Sequence, residues 1–224
     1  DYQLGDIKNI YFSTRTIPFN ISHSQYNLFR ELFVFLGLFL PVNFFSSKPI
    51  TKIYLKLSSF LRKKQAINNL NKFGLKNKSI QFYDHHYCHA ASTLGFSENL
   101  NKKEMLIFTL DASGDAKSGS VSIFKSDKFK LIETMHTVDS LGEIYSQVTA
   151  LLKMKPMEHE YKLMGLAPYC KKEFAQKVCN ILQKKIISLQ FDYKGYLQIK
   201  SKKGLWGKQL YKQLERELKT FRFD

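Results

Sequence analysis

Residues 84–92 read Asp-His-His-Tyr-Cys-His-Ala-Ala-Ser, and the prediction of fold and chemistry starts from them. The residues before them, Ser79 to Tyr83, predict a strand, and the small residues after His89 suit a tightly packed helix start. On a helix, His85 and His89 share one face with Cβ atoms about 5–6 Å apart. The spacing therefore predicts a helix at a strand end that can present two imidazoles to one metal ion.

The residue types in this motif narrow the metal and the chemistry. Two imidazoles with an oxygen donor, from Asp84 or a later carboxylate, suit iron or zinc better than magnesium or calcium. The motif differs from the HExxH of zinc proteases because His86 follows His85 and no Glu lies between the ligands. Asp84-His85-His86 also spells the short signature of DHH phosphoesterases, whose other motifs are not found. Histidines that only cap, hydrogen-bond or face solvent are the structural alternative.

A second motif follows an apolar run, Met105 to Leu110, that ends on Asp111. The turn-rich residues 112–115 come next, then an alternating stretch from Gly119 to Phe124 and a further strand at Lys130–His136. This order predicts a β-hairpin in which the carboxylate of Asp111 lies where the first strand ends. Small turn residues can bring backbone amides close to an anion. An ordinary polar hairpin is the alternative.

The other patterns predict packing elements. They are, in chain order, a strand at Asn9–Ser13, helices at Ser22–Leu40, Ile50–Leu70 (ending near Gly74) and Ser140–Lys153, a short segment at Glu158–Ala167 closed by Pro168, and two helices beyond Lys171 that flank a strand near Tyr193–Ile199. Ser140 and Glu143 have the spacing of a capping box. Lys162 can present its ammonium group, and Gly165 a close-packed backbone, to the same ligand as the hairpin. The alternative is that Lys162 is an ordinary surface lysine.

Composition, charge and cysteine content limit the kinds of protein that this chain can be. The 224 residues are 44% hydrophobic, enough for the core of one domain or of a larger domain cut short. The net charge of +16 comes from lysines spread along the chain, which favours a lysine-rich surface over a nucleic-acid site. Three cysteines without CxxC spacing predict no disulfide framework and fit a reducing cytosol.

The charge-free stretch Leu32–Ser47 is the most membrane-like part of the chain. Pro41 and Asn43 interrupt it, and it is shorter than the roughly 20 residues of a membrane span. We therefore expect a buried helix followed by a loop, and no membrane partner. No signal peptide is visible, and a first residue other than Met suggests that the true beginning is missing.

Four segments occur together and in order, and they carry a family resemblance. They are Asp-His-His-Tyr-Cys-His-Ala-Ala-Ser (84–92), Leu-Asp-Ala-Ser-Gly-Asp (110–115), Ser-Leu-Gly-Glu-Ile-Tyr-Ser-Gln-Val-Thr (140–149) and Glu-His-Glu-Tyr-Lys-Leu-Met-Gly-Leu-Ala-Pro-Tyr (158–169). This set resembles four successive motifs of the NodU/CmcH family of O-carbamoyltransferases. The resemblance covers residues 79–170 firmly and the flanks only loosely.

The resemblance implies an α/β fold, part of an actin-like, ribonuclease-H-like domain with a mixed sheet and flanking helices. It also implies that ATP and carbamoyl phosphate give carbamoyl adenylate on a separate YrdC-like domain. The metal-bearing domain then moves the carbamoyl group to a hydroxyl of a small molecule or glycan. Residues 1–224 would be an incomplete N-terminal domain that lacks the second lobe and the YrdC-like domain, and inactive alone.

By motif position, the resemblance also implies roles for single residues. The metal ligands would be His85, His89 and Asp111, with iron the expected divalent ion and zinc the alternative. The adenylate would lie beside Gly114, Asp115 and Ser118, with Gly165 as a further cofactor contact and Lys162 and Asp115 as catalytic residues. The family has Gly where this chain has Ala112, so a requirement for positive φ there would be strained.

Two rival interpretations stay open. One is a tRNA threonylcarbamoyl transferase of the same superfold, although the Lys-Leu-Met-Gly-Leu-Ala-Pro segment at 162–168 favours the NodU/CmcH branch. The other is a truncated binding module that keeps the fold without catalysis. The leading interpretation predicts a cytoplasmic enzyme with carbamoyl phosphate, ATP and a hydroxyl-bearing acceptor as partners. It predicts no nucleic-acid partner and leaves a homodimer open.

Overall fold

The structure is a computed structural model that describes residues 3–16, 44, 47–96, 104–191, 197–201 and 207–219. The chain divides into two compact units, residues 1–110 with 114–134 and residues 111–113 with 135–224. The predicted helix at Ser22–Leu40 and nearly all of the stretch Leu32–Ser47 lie outside the described residues. Among the residues that are described, no helix has the length and apolar character needed to cross a membrane.

Two small sheets and two helices make up most of the described part of the first unit. In chain order they are β1 (Asn9–Phe12), α1 (Lys48–Lys72), β2 (Ser79–Phe82), α2 (His85–Gly95), β3 (Glu104–Gly114), β4 (Lys117–Lys125) and β5 (Lys128–His136). Strands β1 and β2 pair in parallel, and β3, β4 and β5 form a sheet in that order. The strands predicted at residues 9, 79, 105, 119 and 130 are confirmed, within a few residues at their ends.

Helix α1 begins after Ser47 and has a Pro in its first turn. The backbone N–H groups of a first turn have no partner within the helix, so the Pro removes no helical hydrogen bond. Its buried face includes Ser58 and Ala66. Gly74, just beyond its end, has φ of 79°, a conformation that favours glycine. The predicted helix at Ile50–Leu70 is confirmed and extends two residues further at each end.

The turn between β3 and β4 differs from the prediction. Strand β3 continues to Gly114, and the connection is Asp115-Ala116, both with positive φ (51° and 63°). The register shifts between Leu110 and Gly114, so residues 111–113 form a bulge. The prediction that residues 112–115 make the turn, with Asp111 at a strand end, is therefore wrong. A two-residue connection with positive φ matches the twist of the hairpin strands, and the small residues fit the bulge.

The described residues of the second unit are mostly helical. Its elements are a 3-10 turn (Thr137–Asp139), α3 (Leu141–Leu151), α4 (Glu160–Leu166), a 3-10 turn (Ala167–Tyr169), α5 (Lys172–Ile181), a π-helical turn (Leu182–Ile186), β6 (Ile187–Phe191), β7 (Leu197–Ser201) and α6 (Gly207–Leu218). A buried cluster of Ile186, Leu210, Leu214 and Leu218 forms its core. Strand β7 and the helices α5 and α6 confirm, in part, the predicted strand near Tyr193–Ile199 with its two flanking helices, and residues 192–196 lie outside the described residues. Strand β6, which pairs with β7 in antiparallel fashion, was not predicted. Strand β6 follows the π-helical turn directly, without a Gly or Pro to mark its start.

Ser140 is the N-cap of helix α3, as predicted. The Ser140 hydroxyl accepts a hydrogen bond from the backbone N–H of Glu143 (3.1 Å), which is one half of the expected capping box. The Glu143 carboxylate accepts a hydrogen bond from Gln147 (2.8 Å). Burial raises the pKa of Glu143 above its usual value, although the hydrogen bond from Gln147 acts in the opposite direction.

The raised pKa of Glu143 predicts that Glu143→Gln increases the free energy of unfolding, and that the increase depends on pH. A carboxyl with a raised folded pKa contributes stability below its unfolded pKa and loses it as the pH rises through the folded pKa. We expect the variant to be more stable by roughly 0.5–1 kcal/mol at pH 7 and equal to the wild type near pH 3. Urea denaturation at both pH values measures this. Glu215→Gln, at an exposed carboxylate on α6, is the control, and a pH-independent difference at Glu143 would contradict the prediction.

Candidate metal centre

The β2–α2 junction brings the two predicted histidine ligands together. Asp84 is the N-cap of α2 and accepts a hydrogen bond from the backbone N–H of Tyr87 (3.1 Å), so the helix begins at His85. The Nε2 atoms of His85 and His89 lie 3.0 Å apart, and the rings are perpendicular. Two nitrogens that bind one ion at about 2.0–2.1 Å are separated by about 3 Å, so the pair fits a shared ion.

The orientation of His85 is set by its second ring nitrogen. Its Nδ1 lies 3.2 Å from the carbonyl oxygen of Ser13, just after β1. A carbonyl only accepts hydrogen bonds, so this contact favours the tautomer with the proton on Nδ1 and a lone pair on Nε2. Histidines that bind metals usually donate their other N–H to a carbonyl or carboxylate in this way.

Asp111 supplies the third ligand of the predicted set. Ligand atoms of His85, His89 and Asp111 all lie within 4.8 Å of one another. Asp111 belongs to the bulge of β3, and its carboxylate also accepts a hydrogen bond from the backbone N–H of Ala112 (2.6 Å). Two imidazoles and one carboxylate suit iron or zinc. The residues therefore fit the predicted ion, and the assignment of ligands stays a prediction.

Gly114 packs directly against one of these ligands. A Cβ placed on Gly114 would lie 2.1 Å from Cδ2 of the His85 ring and 2.8 Å from its Cβ. Any side chain there would force the ring to move. The structure thus gives Gly114 a steric role beside His85, and its predicted contact with the adenylate stays a prediction.

Asp115 and Ser118 are both buried in the first unit. The Asp115 side chain is 4% exposed, and its carboxylate accepts hydrogen bonds from the backbone N–H groups of Arg15, Thr16 and His85. Ser118 lies on β4 with no exposed surface. Their predicted places beside an adenylate are not tested by these contacts.

Lys162 and Gly165 lie on α4 in the second unit. Lys162 is exposed, with its ammonium 5.8 Å from the ring centre of Tyr161. A Cβ built on Gly165 meets nothing within 4 Å, so the prediction of a close-packed glycine is wrong. The reason is that this helix exposes its apolar residues, among them Met164. The catalytic role of Lys162 and the cofactor contact of Gly165 stay predictions.

The expected strain at Ala112 does not occur, because Ala112 is not among the residues with positive φ. The glycine that this region needs is Gly142, in the first turn of α3. A Cβ on Gly142 would lie 2.7 Å from the α-carbon of Ala112 and 3.0 Å from its methyl group. Close approach of two backbones therefore explains a glycine at 142.

Sequence reasoning missed an ion pair at the start of α2. The Lys117 ammonium lies 2.6 Å from the carboxylate of the N-cap Asp84. Burial would raise the pKa of Asp84, but the hydrogen bond and charge of Lys117, with the N–H of Tyr87, bring it below the usual value. The pair anchors the first helical turn. A basic residue after a hairpin turn gives too weak a signal to predict it.

Cys88 lies between the two histidines and is a free thiol. Burial, together with the negative charges of Asp84 and Asp115, raises the pKa of this thiol. Among the described residues, the group whose ligand atoms lie close enough to share one ion consists of His85, His89 and Asp111, without Cys88. The chemistry of the site therefore favours nitrogen and oxygen ligands.

Gly114→Ala is expected to weaken metal binding about 10–100-fold, because the added methyl displaces the His85 ring. Competitive titration with zinc or cobalt and a chelator measures the affinity, and circular dichroism checks the fold. Gly95→Ala, on the same helix as His85, is the matched control because open space surrounds its Cβ position. Equal affinity in both variants would show that the glycine contact is irrelevant to the ion.

Comparison with known proteins gives the family. Residues 42–215 match the family described as carbamoyltransferase N-terminus. The chain is similar to nodulation protein NolNO of Sinorhizobium fredii, with 38% identity over 90 residues, 40% of this chain and 13% of that protein. Nodulation protein NolO of Bradyrhizobium diazoefficiens is 33% identical over 86 residues, 38% of this chain and 15% of its own length.

A third relative comes from an archaeon. An uncharacterised protein of Methanocaldococcus jannaschii is 35% identical over 137 residues, 55% of this chain and 21% of that protein. The chain thus spans a quarter or less of each of these relatives. The family match covers well over half of the chain and confirms the resemblance to NodU-type proteins. The chain belongs to the carbamoyltransferase family and corresponds to part of its N-terminal region.

Proposed function

We propose that this chain is the metal-bearing part of an enzyme that transfers a carbamoyl group to a hydroxyl of a small molecule or glycan. The family supplies the reaction class. The observation that carries the proposal is the 3.0 Å separation of the His85 and His89 Nε2 atoms, with a carboxylate oxygen of Asp111 within 4.8 Å.

The donor in this proposal is carbamoyl adenylate, made from carbamoyl phosphate and ATP. The acceptor oxygen bonds to the carbamoyl carbon, the bond from that carbon to the phosphate oxygen breaks, and AMP leaves with the electron pair. The hydroxyl proton passes to a base. This scheme follows from the family resemblance.

A divalent ion held by His85, His89 and Asp111 would supply Lewis acidity that stabilises charge on the carbamoyl oxygen. The residues of the chain have separate tasks. His85 and His89 direct their Nε2 atoms to one point, and the Ser13 carbonyl holds the His85 ring. Gly114 leaves room for that ring. Iron is the expected ion and zinc the alternative.

The test is metal binding by the 224-residue chain. We expect about one equivalent of iron(II) or zinc(II), and a loss of affinity of at least about 100-fold in His85→Ala and in His89→Ala, since each change removes one of three protein ligands. Anaerobic titration and elemental analysis after dialysis against a weak chelator measure it.

Two variants serve as controls for that titration. Cys88→Ser keeps the affinity if the thiol is no ligand. His159→Asn, in the second unit, removes a histidine whose Nδ1 accepts a hydrogen bond from the backbone of Lys155, and it keeps the affinity as well. Unchanged binding in both His85→Ala and His89→Ala would remove the metal site from the proposal.

Activity is tested in the full open reading frame that contains this chain. Carbamoyl-phosphate-dependent consumption of ATP, and mass spectrometry of a carbamoylated acceptor, report the two halves of the reaction. The His85→Ala protein is expected to keep ATP consumption and to lose acceptor carbamoylation, because the ion acts in the transfer step. A His85→Ala protein that keeps both ATP consumption and acceptor carbamoylation would refute the metal-assisted transfer.

A further inference from the structure

Asp115 is a buried carboxylate in a hairpin turn. It has φ of 51°, and its side chain is only 4% exposed. The next hairpin turn, between β4 and β5, has Asp127 in the same left-handed region (φ 58°), and that residue is exposed. Charged side chains are rarely this buried unless they are fully hydrogen-bonded. The difference between the two turns therefore needs an explanation beyond turn geometry.

Five donors surround the Asp115 carboxylate. Oδ1 accepts from the Thr14 hydroxyl (3.1 Å), the backbone N–H groups of Arg15 (3.0 Å) and Thr16 (2.8 Å), and the Thr16 hydroxyl (2.9 Å). Oδ2 accepts from the backbone N–H groups of Arg15 (3.1 Å) and His85 (2.9 Å). One side chain thus ties the segment after β1 to the first residue of α2.

The hydrogen bonds of Asp115 hold the backbone on both sides of the contact that orients the His85 ring. Ser13, whose carbonyl oxygen lies 3.2 Å from His85 Nδ1, directly precedes the residues held by Oδ1. The backbone of His85 itself is held by Oδ2. The same carboxylate therefore fixes both the acceptor and the residue that carries the donor ring.

From these contacts we propose that Asp115 is a positioning residue of the metal centre, which keeps the His85 proton on Nδ1 by holding the Ser13 carbonyl in place. The inference rests on the proposed metal-dependent function and deepens it. Asp115 acts through His85 in this role, and its predicted direct catalytic contact stays a separate prediction.

The carboxylate is needed as a charged acceptor. An ionised Asp only accepts hydrogen bonds, so all five donors can point at it. An Asn of the same shape would direct its NH₂ group at one or more of these N–H groups. Asp115→Asn is therefore a substantial change for the surrounding backbone, although it alters few atoms.

The experiment compares Asp115→Asn with Asp127→Asn, the matched control in the exposed turn. Long-range proton–nitrogen correlation spectra of the metal-free chain report the tautomer of His85. In the wild type and in Asp127→Asn we expect the Nδ1–H form. In Asp115→Asn we expect a mixture of tautomers, and an affinity for zinc that is about 10–100-fold lower.

A purely structural role would give a different result. It would lower the melting temperature of Asp115→Asn while the His85 tautomer stayed that of the wild type, and this outcome overturns the proposal. Should Asp115→Asn fail to fold, Thr14→Val and Thr16→Val each remove one hydroxyl donor. A graded loss of the Nδ1–H form then supports the proposal, and an unchanged tautomer overturns it.

The design separates this inference from the proposed function. If the wild type binds no metal, the proposed function fails. The tautomer of the metal-free chain still shows whether Asp115 positions His85. If the wild type binds zinc and Asp115→Asn binds it equally well with the same tautomer, only the positioning role is refuted.

Discussion

The hydrogen bond between His85 Nδ1 and the Ser13 carbonyl oxygen is the contact on which the candidate site depends. It joins residues 72 positions apart in the chain, at 3.2 Å, and directs the Nε2 lone pair of His85 toward that of His89. A ring free to rotate would offer a metal ion either nitrogen or neither. The parallel pairing of β1 with β2 brings Ser13 to the N-terminus of α2. This small sheet therefore positions the carbonyl group that orients the His85 ring.

The histidine pair and its helix could be predicted from sequence because their causes are local. Asp84 caps the helix through the backbone of Tyr87, and a spacing of four residues places two side chains on one face. The same holds for the Ser140 cap of α3. The predicted ligands of the site follow from such short-range rules together with the family motifs, and no knowledge of the tertiary fold is needed to predict them.

The supporting contacts could not be predicted, since each joins distant parts of the chain. Nothing near Gly114 indicates that the His85 ring lies against it, and nothing near Asp115 indicates its bonds to residues 14–16. The predicted position of the hairpin turn is also wrong. The residues 112–115 have the composition of a turn, yet Ala112 and Ser113 belong to the bulge, and the turn consists of Asp115 and Ala116. Composition alone does not separate a bulge from a turn.

X-ray absorption spectroscopy of the metal-loaded chain tests the central claim most directly, because it reports the ligands of the ion themselves. The account predicts a first shell that contains two imidazole nitrogens at about 2.0–2.1 Å, with the outer-ring scattering typical of histidine, and oxygen ligands that include a carboxylate. A shell with a sulfur neighbour at about 2.3 Å, or with fewer than two imidazoles, would contradict it.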